Sequence, residues 1–269
     1  MANSRIVLVT GAAGGIGAAI AKALVAAGHS VAAVDRDAGR LNQLATSERI
    51  HPIMADLASE AGCREAVASA VARFGRLEAV INNAGIGVSS LRPDGELNLP
   101  TVEELTAEIW DKFYATNVRA PMLIVQAALP HMREGRFGRI INNTTSFRTM
   151  LRVNPYGPLK AALEAMSAVW AAELKADGIT VNVLIPGGPT DTPFIADGAG
   201  WDRAKMLRPQ IMGAPACWLV SDEAADYSGN RIIAANWNAA LPGAEAAKKA
   251  GRAIGWPELG TDAVWLRGS

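Results

Sequence analysis

Short apolar runs alternate with alanine-rich helical stretches along most of this chain, and that alternation restricts the possible folds more than any other feature. Strands that are apolar throughout and separated by helices are typical of a parallel sheet with helices on both faces. Crossovers between such strands are right-handed, which leads to a doubly wound α/β fold. The seven predicted strands are residues 6–9, 31–34, 50–54, 77–81, 139–143, 179–185 and 231–235.

The sequence predicts one domain over residues 1–269, because it contains no linker-like composition and no internal repeat. After the last predicted strand comes a C-terminal extension, residues 237–269, which contains three tryptophans and two prolines. Aromatic side chains in a segment with little periodicity indicate packing on another surface. We therefore expect the extension to pack on the domain or on a neighbouring subunit, and the protein to be a homo-oligomer, either a dimer or a homotetramer.

Two polar stretches, residues 86–100 and 187–201, interrupt the alternation of strands and helices. Both should lie at the carboxyl ends of strands, which is where parallel sheets bind ligands. We expect them to form walls of a substrate pocket, although the first could equally be a plain surface loop. Thr101 and Glu104 predict a capping box for the helix that follows the first stretch.

Charge and residue content exclude several classes of partner. The 26 basic and 26 acidic side chains balance, which argues against a nucleic-acid partner. The cysteines and histidines are scattered, so no metal site is predicted. No apolar run reaches the roughly 18 residues of a membrane helix, and the first strand begins too early to leave room for a signal peptide. We therefore expect a cytoplasmic protein that binds no membrane.

A glycine-rich turn joins the first predicted strand to the first helix and reads Thr-Gly-Ala-Ala-Gly-Gly-Ile-Gly over residues 10–17. Glycine lets the backbone turn tightly and approach a ligand. The start of the helix then offers free N–H groups and a partial positive charge to an anion. The turn therefore predicts a phosphate site, although it could also be a tight connection with no ligand.

Asp35 ends the second predicted strand, eighteen positions after Gly17. In a dinucleotide-binding fold, an acid at this position accepts hydrogen bonds from the adenosine ribose. A carboxylate also repels a 2′-phosphate, which favours NAD over NADP. Two alternatives remain open, because the neighbouring Arg36 could hold a phosphate and Asp35 could simply start a turn.

Tyr156 and Lys160 lie one turn apart at the start of a predicted helix, where Pro158 fits only the first turn. An ammonium near a phenol favours the phenolate and lowers the pKa of the phenol. A phenol tuned in this way can exchange a proton with an alcohol or carbonyl oxygen. The spacing alone is common by chance, so the rest of the sequence has to support this interpretation.

Together these motifs resemble the short-chain dehydrogenase/reductase family over roughly residues 4–236, with its single-domain Rossmann fold. The glycine-rich turn matches the family pattern Thr-Gly-x-x-x-Gly-x-Gly, and Tyr156 and Lys160 match its catalytic Tyr-x-x-x-Lys. Asn117 matches the helix asparagine that holds a proton-relay water. The resemblance implies reversible hydride transfer between a nicotinamide and a secondary alcohol or ketone, with Tyr156 as general acid/base. Lys160 would lower the pKa of Tyr156 and bind the nicotinamide ribose.

The same resemblance assigns a cofactor site, with NAD as the expected dinucleotide. Asp56 matches the acid that contacts the adenine, residues 82–85 match the signature Asn-Asn-Ala-Gly, and Pro186 and Gly187 match the Pro-Gly that approaches the nicotinamide. The implied cofactor-binding residues are Gly11, Gly15, Ile16, Gly17, Asp35, Arg36, Asp56, Leu57, Asn83, Ala84, Gly85, Tyr156, Lys160, Pro186 and Gly187.

One catalytic position departs from the family pattern, which has a serine at the end of the fifth strand. Here residues 142–146 read Asn-Asn-Thr-Thr-Ser. Counting from Gly138 without gaps places Thr145 at the serine position, whereas residue type favours Ser146. Adjacent strand residues point to opposite faces, so both cannot do the same job unless the strand has ended. We expect Ser146 to bind the substrate oxygen, with Thr145 as the alternative.

The substrate implied by the resemblance is a small alcohol or ketone. Apolar side chains near the expected site favour a partly apolar molecule, and Arg148 and Arg152 could meet a carboxylate or phosphate on it or could simply be solvated. A non-catalytic dinucleotide-sensing or scaffolding module on the same fold is the alternative function. The apolar side chains are those of Phe147, Met150, Leu151, Phe194, Trp201 and Met206.

Overall fold

The computed structural model describes residues 3–258, which form an α/β sheet flanked by helices. The strands are β1 Ile6–Thr10, β2 Ser30–Asp35, β3 Ile50–Met54, β4 Ala79–Asn82, β5 Gly138–Asn142, β6 Ile179–Ile185, β7 Asn230–Ile233 and β8 Gly251–Ala253. The sheet order is β3-β2-β1-β4-β5-β6-β7-β8. Strands β1 to β7 are parallel, and β8 is antiparallel to β7.

Helices cover both faces of this sheet, which confirms the predicted doubly wound fold. The α-helices are α1 Gly15–Ala26, α2 Ala38–Leu44, α3 Glu60–Phe74, α4 Ala107–Tyr114, α5 Ala120–Glu134, α6 Phe147–Met150, α7 Tyr156–Glu173, α8 Gly213–Val220 and α9 Gly243–Ala250. Within the described residues, none of them has the length and apolarity needed to cross a bilayer.

Alternating residues of β1 show why these strands had to be apolar throughout. Leu8 joins the core cluster that α3 and α5 form on one face. Val7 and Val9 join the cluster that α1 and α8 form on the other face. Because successive side chains of a strand point to opposite faces, a strand buried on both faces needs an apolar residue at every position.

The expected number of strands, seven, is wrong by one within the described part of the chain. The extra strand, β8, lies in the C-terminal extension and reads Gly-Arg-Ala. It has no apolar pattern of its own and becomes a strand by pairing with the edge of β7. Trp237 packs on Trp218, and Trp256 packs on Phe147, with ring centroids 5.8 and 5.7 Å apart. The extension therefore packs on the domain up to residue 258, and Trp265 lies outside the described residues.

The predicted capping box forms only in part. The Glu104 carboxylate accepts a hydrogen bond from the Thr101 N–H at 2.8 Å, as a capping box requires. The helix, however, begins later, at Ala107, and its N-cap is Thr106, whose hydroxyl accepts a hydrogen bond from the Ile109 N–H. Residues 101–104 therefore form a turn before α4.

Candidate active site

A cleft of about 990 Å³ runs along the carboxyl edge of the sheet, where β1, β2, β4, β5 and β6 end. Its floor contains the glycine-rich turn after β1, and its far end contains Tyr156. This is the edge at which doubly wound sheets bind their ligands. The cleft brings together most of the residues that the sequence predicted for the site, although not all of them.

The glycine-rich turn has backbone angles that would be strained for any residue other than glycine. Gly11 and Gly15 have φ angles of +63° and +55°, in the left-handed region. A Cβ on Gly17 would lie 2.1 Å from the Gly11 carbonyl oxygen, so the helix could not approach the turn this closely. Helix α1 begins at Gly15 and points its free N–H groups into the cleft beside Ile16.

Hydrogen bonds tie this turn to the end of β4. The Thr10 hydroxyl accepts hydrogen bonds from the N–H groups of Asn83 and Ala84 at 3.0 and 2.9 Å. The Asn83 amide donates back to the carbonyl oxygens of Thr10 and Gly11. The signature at residues 82–85 therefore fixes the turn, and Asn83, Ala84 and Gly85 also line the cleft.

The carboxylate of Asp35 lies at the end of β2, where the sequence placed it. One oxygen accepts a hydrogen bond from the Ala13 N–H at 3.0 Å, and the other accepts one from the Asp37 N–H at 3.1 Å. Arg36 lines the same end of the cleft. Both expected groups thus face the predicted adenosine end of the site.

Three residues assigned to the cofactor site by resemblance do not line the cleft, namely Gly17, Asp56 and Leu57. Gly17 is buried where α1 meets the glycine-rich turn. Asp56 accepts a hydrogen bond from the Ala58 N–H at 3.0 Å and starts the turn into α3. The Leu57 side chain is buried in the core on the side of α3 and α5. Asp56 and Leu57 follow β3, which is a strand at one edge of the sheet, and therefore lie away from the cleft.

Tyr156 is the first residue of α7 and lines the cleft, and Lys160 follows one turn later. The Lys160 ammonium lies 5.8 Å from the centre of the Tyr156 ring and donates a hydrogen bond to the Asn143 carbonyl oxygen at 2.9 Å. Burial lowers the pKa of Lys160 to about 8. The pKa of Tyr156 is raised by burial, against the expected lowering, and the Thr145 side chain opposes that rise through a hydrogen bond.

Thr145 and Ser146 have different surroundings. The Thr145 side chain lies beside the Tyr156 phenol and lowers the pKa of that phenol through hydrogen bonding. The Ser146 hydroxyl instead accepts a hydrogen bond from the Thr149 N–H at 3.2 Å and lies 2.9 Å from the Thr149 hydroxyl, so it caps α6. Both residues line the cleft, so the expectation that Ser146 binds the substrate oxygen stays a prediction, and the proximity of Thr145 to the phenol favours the alternative.

Asn117 lies beneath the cleft in a π-helical turn, Ala115–Arg119, between α4 and α5. Its amide donates hydrogen bonds to the carbonyl oxygens of Ile86 and Phe113, both at 3.1 Å. Its side-chain oxygen is buried and has no hydrogen-bond partner among the described residues. A Cβ placed on Gly85 would lie 2.7 Å from that oxygen and 3.5 Å from the Lys160 ammonium.

Pro186 and Gly187 follow β6 and line the cleft as predicted. Gly187 has a φ of +100°, and a Cβ there would lie 2.6 Å from Ile233. Thr192 also lines the cleft, although no motif indicated it. It packs so closely on the glycine-rich turn that a Cβ on Gly15 would lie 2.9 Å from its side chain. No residue pattern distinguished it from Thr190.

The two polar loops form the cleft wall and contact each other. A Cβ on Gly87 would lie 2.4 Å from the Phe194 ring, and that ring lies 5.6 Å from the ring of Tyr156. The Ser89 hydroxyl donates to the Glu96 carboxylate at 2.7 Å and accepts a hydrogen bond from the Ala196 N–H at 3.1 Å. The prediction that both loops border the site therefore agrees with the structure.

The side chains expected to border the substrate divide into two groups. Phe194, Trp201, Arg148 and Arg152 line the cleft. The remaining four do not, because Met150 and Met206 are buried, Phe147 packs on Trp256, and Leu151 is exposed to solvent away from the cleft. Apolar side chains that also line the cleft, and that no sequence pattern indicated, include those of Val88, Leu97, Leu99, Val153 and Ile195.

Fold and cleft together define a dinucleotide-binding α/β protein. The model of the short chain dehydrogenase family matches residues 5–200. The chain therefore belongs to that family and is an oxidoreductase of it.

Several relatives agree with this assignment. D-threitol dehydrogenase from Mycolicibacterium smegmatis is 32% identical over 247 residues, which cover 86% of this chain and 91% of the relative. L-fucose dehydrogenase from Oryctolagus cuniculus is 32% identical over 236 residues, covering 81% of this chain and 79% of the relative.

Solved structures give the same result. The 3-ketoacyl-(acyl-carrier-protein) reductase from Brucella melitensis, complexed with NADH, superposes with a TM-score of 0.73 at 25% identity, covering 85% of this chain and 95% of that one. A blue fluorescent protein from a metagenomic library, in complex with NADPH, gives a TM-score of 0.72 at 29% identity, covering 86% and 96%. These neighbours support a nicotinamide cofactor and do not distinguish its two forms.

Proposed function

We propose that the protein transfers a hydride reversibly between NAD(H) and a small secondary alcohol or ketone, with Tyr156 as general acid/base. The observation that carries the proposal is the arrangement at one end of the cleft, where the Tyr156 phenol lies beside the Thr145 side chain and one helical turn from Lys160. The glycine-rich turn lies in the same cleft. A proton-exchanging group and a phosphate-binding turn are the two parts that this reaction needs.

The residues of the cleft fit a dinucleotide. The start of α1 and the glycines of the turn would hold the pyrophosphate, because a side chain on Gly17 would fill the space of the turn. Asp35 would bind the adenosine ribose, and Gly187 would lie beside the nicotinamide. When bound, the nicotinamide supplies the hydride donor or acceptor.

The protein's own groups would manage the proton. In the direction of reduction, the Thr145 hydroxyl donates a hydrogen bond to the substrate oxygen, and Tyr156 gives its phenolic proton to that oxygen. The Lys160 ammonium, held by the Asn143 carbonyl, stabilises the phenolate that remains. The unpartnered side-chain oxygen of Asn117, close to Lys160 across Gly85, would hold a water that returns the proton.

NAD is the proposed dinucleotide because a carboxylate, Asp35, ends β2. Two N–H groups fix that carboxylate so that it faces the adenosine end of the cleft. A negative charge there accepts hydrogen bonds from ribose hydroxyls and repels a 2′-phosphate. Arg36 is the feature that would favour NADP instead, and the ratio of kcat/KM with the two cofactors measures which group dominates.

The proposed substrate is partly apolar and carries an anionic group. Phe194 supplies an apolar wall next to Tyr156, and Trp201 lines the same cleft. Arg148 and Arg152 also line the cleft, and neither has a hydrogen bond or an ion pair from its side chain among the described residues. A guanidinium without a partner in a cleft is suited to a carboxylate or phosphate on the substrate.

A screen of secondary alcohols with NAD and ketones with NADH, followed by nicotinamide absorbance, tests the proposal. Tyr156→Phe should lose roughly 10²- to 10⁴-fold in kcat while the dinucleotide still binds, as measured by calorimetry. Turnover within a few-fold of the wild type would remove Tyr156 from its role. Binding of the dinucleotide without turnover of any compound in the screen would favour the sensing or scaffolding module.

A further inference from the structure

A buried ion pair contacts the segment that carries Thr145. Glu164 on α7 is fully buried, and Arg231 on β7 is 8% exposed. The Arg231 guanidinium lies 3.4 Å from the Glu164 carboxylate. Removing two charges from water is costly, and a buried pair stabilises a fold little compared with apolar residues of similar size. Its position next to the predicted catalytic groups therefore indicates a role beyond stability.

Both members of the pair hold the segment that carries Thr145. The Arg231 guanidinium donates a hydrogen bond to the Thr145 carbonyl oxygen at 2.7 Å. The Thr144 hydroxyl donates to the Glu164 carboxylate at 2.9 Å. Thr144 and Thr145 belong to neither β5 nor α6, so no regular backbone ladder holds them. The two charged side chains replace that ladder.

We propose that Glu164 and Arg231 are positioning residues that hold the Thr145 hydroxyl against the Tyr156 phenol. Tyr156, Lys160 and Glu164 occur at successive turns of α7, so they share one face of one helix. The ion pair thus fixes the segment of Thr145 relative to α7, the helix that also carries the phenol. Groups held by such supporting contacts keep the geometry that proton transfer needs. This inference rests on the proposed role of Thr145.

The chain offers a matched control for a purely structural ion pair. Arg5 and Glu78 are also largely buried, with their charged atoms 2.8 Å apart, and Glu78 also accepts a hydrogen bond from the Ile6 N–H. They precede β1 and β4, at the amino edge of the sheet, opposite the cleft. Glu78→Gln therefore weakens a buried pair without touching the site.

Steady-state kinetics with the ketone reduced fastest in the screen distinguishes the two roles. Glu164→Gln should lower kcat by roughly 10- to 100-fold, with little change in the KM for NADH, because it displaces a reacting group and not the dinucleotide. Glu78→Gln should leave kcat within a few-fold of the wild type. Equal losses of kcat in the two variants would overturn the proposal.

A double-mutant cycle with Thr145→Ala shows whether Glu164 acts through Thr145. If it does, Glu164→Gln causes no further loss of kcat once the Thr145 hydroxyl is absent. Losses that multiply in the double variant would mean that Glu164 acts elsewhere, and the proposal would be wrong.

A second variant keeps the test decisive if Glu164→Gln folds poorly. Thr144→Val removes the hydroxyl that binds Glu164 and keeps the shape of the side chain. We expect it to lower kcat and to raise amide hydrogen exchange in peptides that cover residues 143–150, and Glu78→Gln should not change exchange there. Unchanged exchange in Thr144→Val would contradict the proposal even if no ketone is reduced, whereas failure of the wild type in every assay would contradict only the proposed function.

Discussion

Two adjacent hydroxyls, on Thr145 and Ser146, face different partners, and single substitutions can separate their roles. Thr145→Ala should lower kcat by roughly 10²-fold, because a hydrogen-bond donor to the substrate oxygen is lost, and Thr145→Ser should keep most of the activity. Ser146→Ala should keep kcat within a few-fold and weaken the cap of α6 by about 1 kcal/mol. The measurements are kcat and denaturant unfolding. A large loss of kcat in Ser146→Ala alone would mean that Ser146, and not Thr145, binds the substrate oxygen.

The sequence could not choose between these two residues, and the structure explains why. Counting along the strand favoured Thr145, whereas residue type favoured Ser146. What decides is where the strand ends, because β5 stops at Asn142 and the residues after it no longer alternate between faces. The four residues of α6 then use Ser146 as their N-cap. Neither boundary has a residue pattern strong enough to be predicted from the sequence.

The charge of the substrate can be tested at Arg148 and Arg152. Replacing both with Gln should raise the KM of a keto acid by about 10-fold and leave the KM of the corresponding methyl ketone unchanged, because only the acid loses a charged partner. Arg136→Gln is the control. That side chain also has no hydrogen bond or ion pair among the described residues, but it lies at the amino edge of the sheet. Equal changes of KM for the two substrates would contradict an anionic group.

At the scale of elements, the strands and the carboxyl edge were predictable, and the contacts between loops were not. Seven runs of mostly apolar residues sufficed to place β1 to β7, because all of these strands except β3, at the edge of the sheet, are largely buried on both sides. The pairing of the loops at residues 86–100 and 187–201 depends on single contacts between distant residues, such as Ser89 with the Ala196 N–H. Such contacts have no local signature, so only the position of the loops, and not their mutual packing, followed from the sequence.

The contact between these loops predicts an effect on substrate binding. Ser89→Ala removes the hydroxyl that joins Glu96 in one loop to Ala196 in the other. We expect the KM of the substrate to rise several-fold while the free energy of unfolding changes little, because the loops cover the cleft but lie outside the core. Ser90→Ala is the matched control, since the exposed Ser90 side chain makes no such bridge. An equal rise of KM in both variants would contradict a specific contact.

At the scale of the whole molecule, the cleft and a dense group of charges occupy opposite edges of the sheet. Arg5, at the amino edge, pairs with Glu78 and Asp222, and its guanidinium lies 3.6 Å from the centre of the Phe137 ring. Arg139 lies 3.9 Å from the same ring. The carboxyl edge, in contrast, carries the turn glycines with positive φ and the side-chain oxygen of Asn117, which has no partner among the described residues. The fold thus separates the contacts that stabilise it from the groups proposed to react.

His29, at the same edge of the sheet, should make the stability of the fold depend on pH. Its side chain is buried, and its Nδ1 accepts a hydrogen bond from the Arg5 N–H at 3.1 Å, which requires a neutral imidazole. Burial lowers the pKa of His29, and the charge of Arg5 lowers it further. The unfolded chain therefore binds a proton at a higher pH than the folded chain does.

The sign of the resulting pH dependence follows from that difference in proton binding. Above the ordinary histidine pKa of about 6.5, both states are neutral and the full stability is present, and it is lost as the pH falls below that value. We expect the free energy of unfolding in urea to decrease from pH 8 to pH 5. His29→Asn can still accept the Arg5 hydrogen bond and cannot titrate, so its free energy of unfolding should decrease less over the same range. The part of the decrease that remains should include His51, whose pKa burial also lowers. Parallel curves for wild type and His29→Asn would show that His29 contributes nothing to the acid sensitivity of the fold.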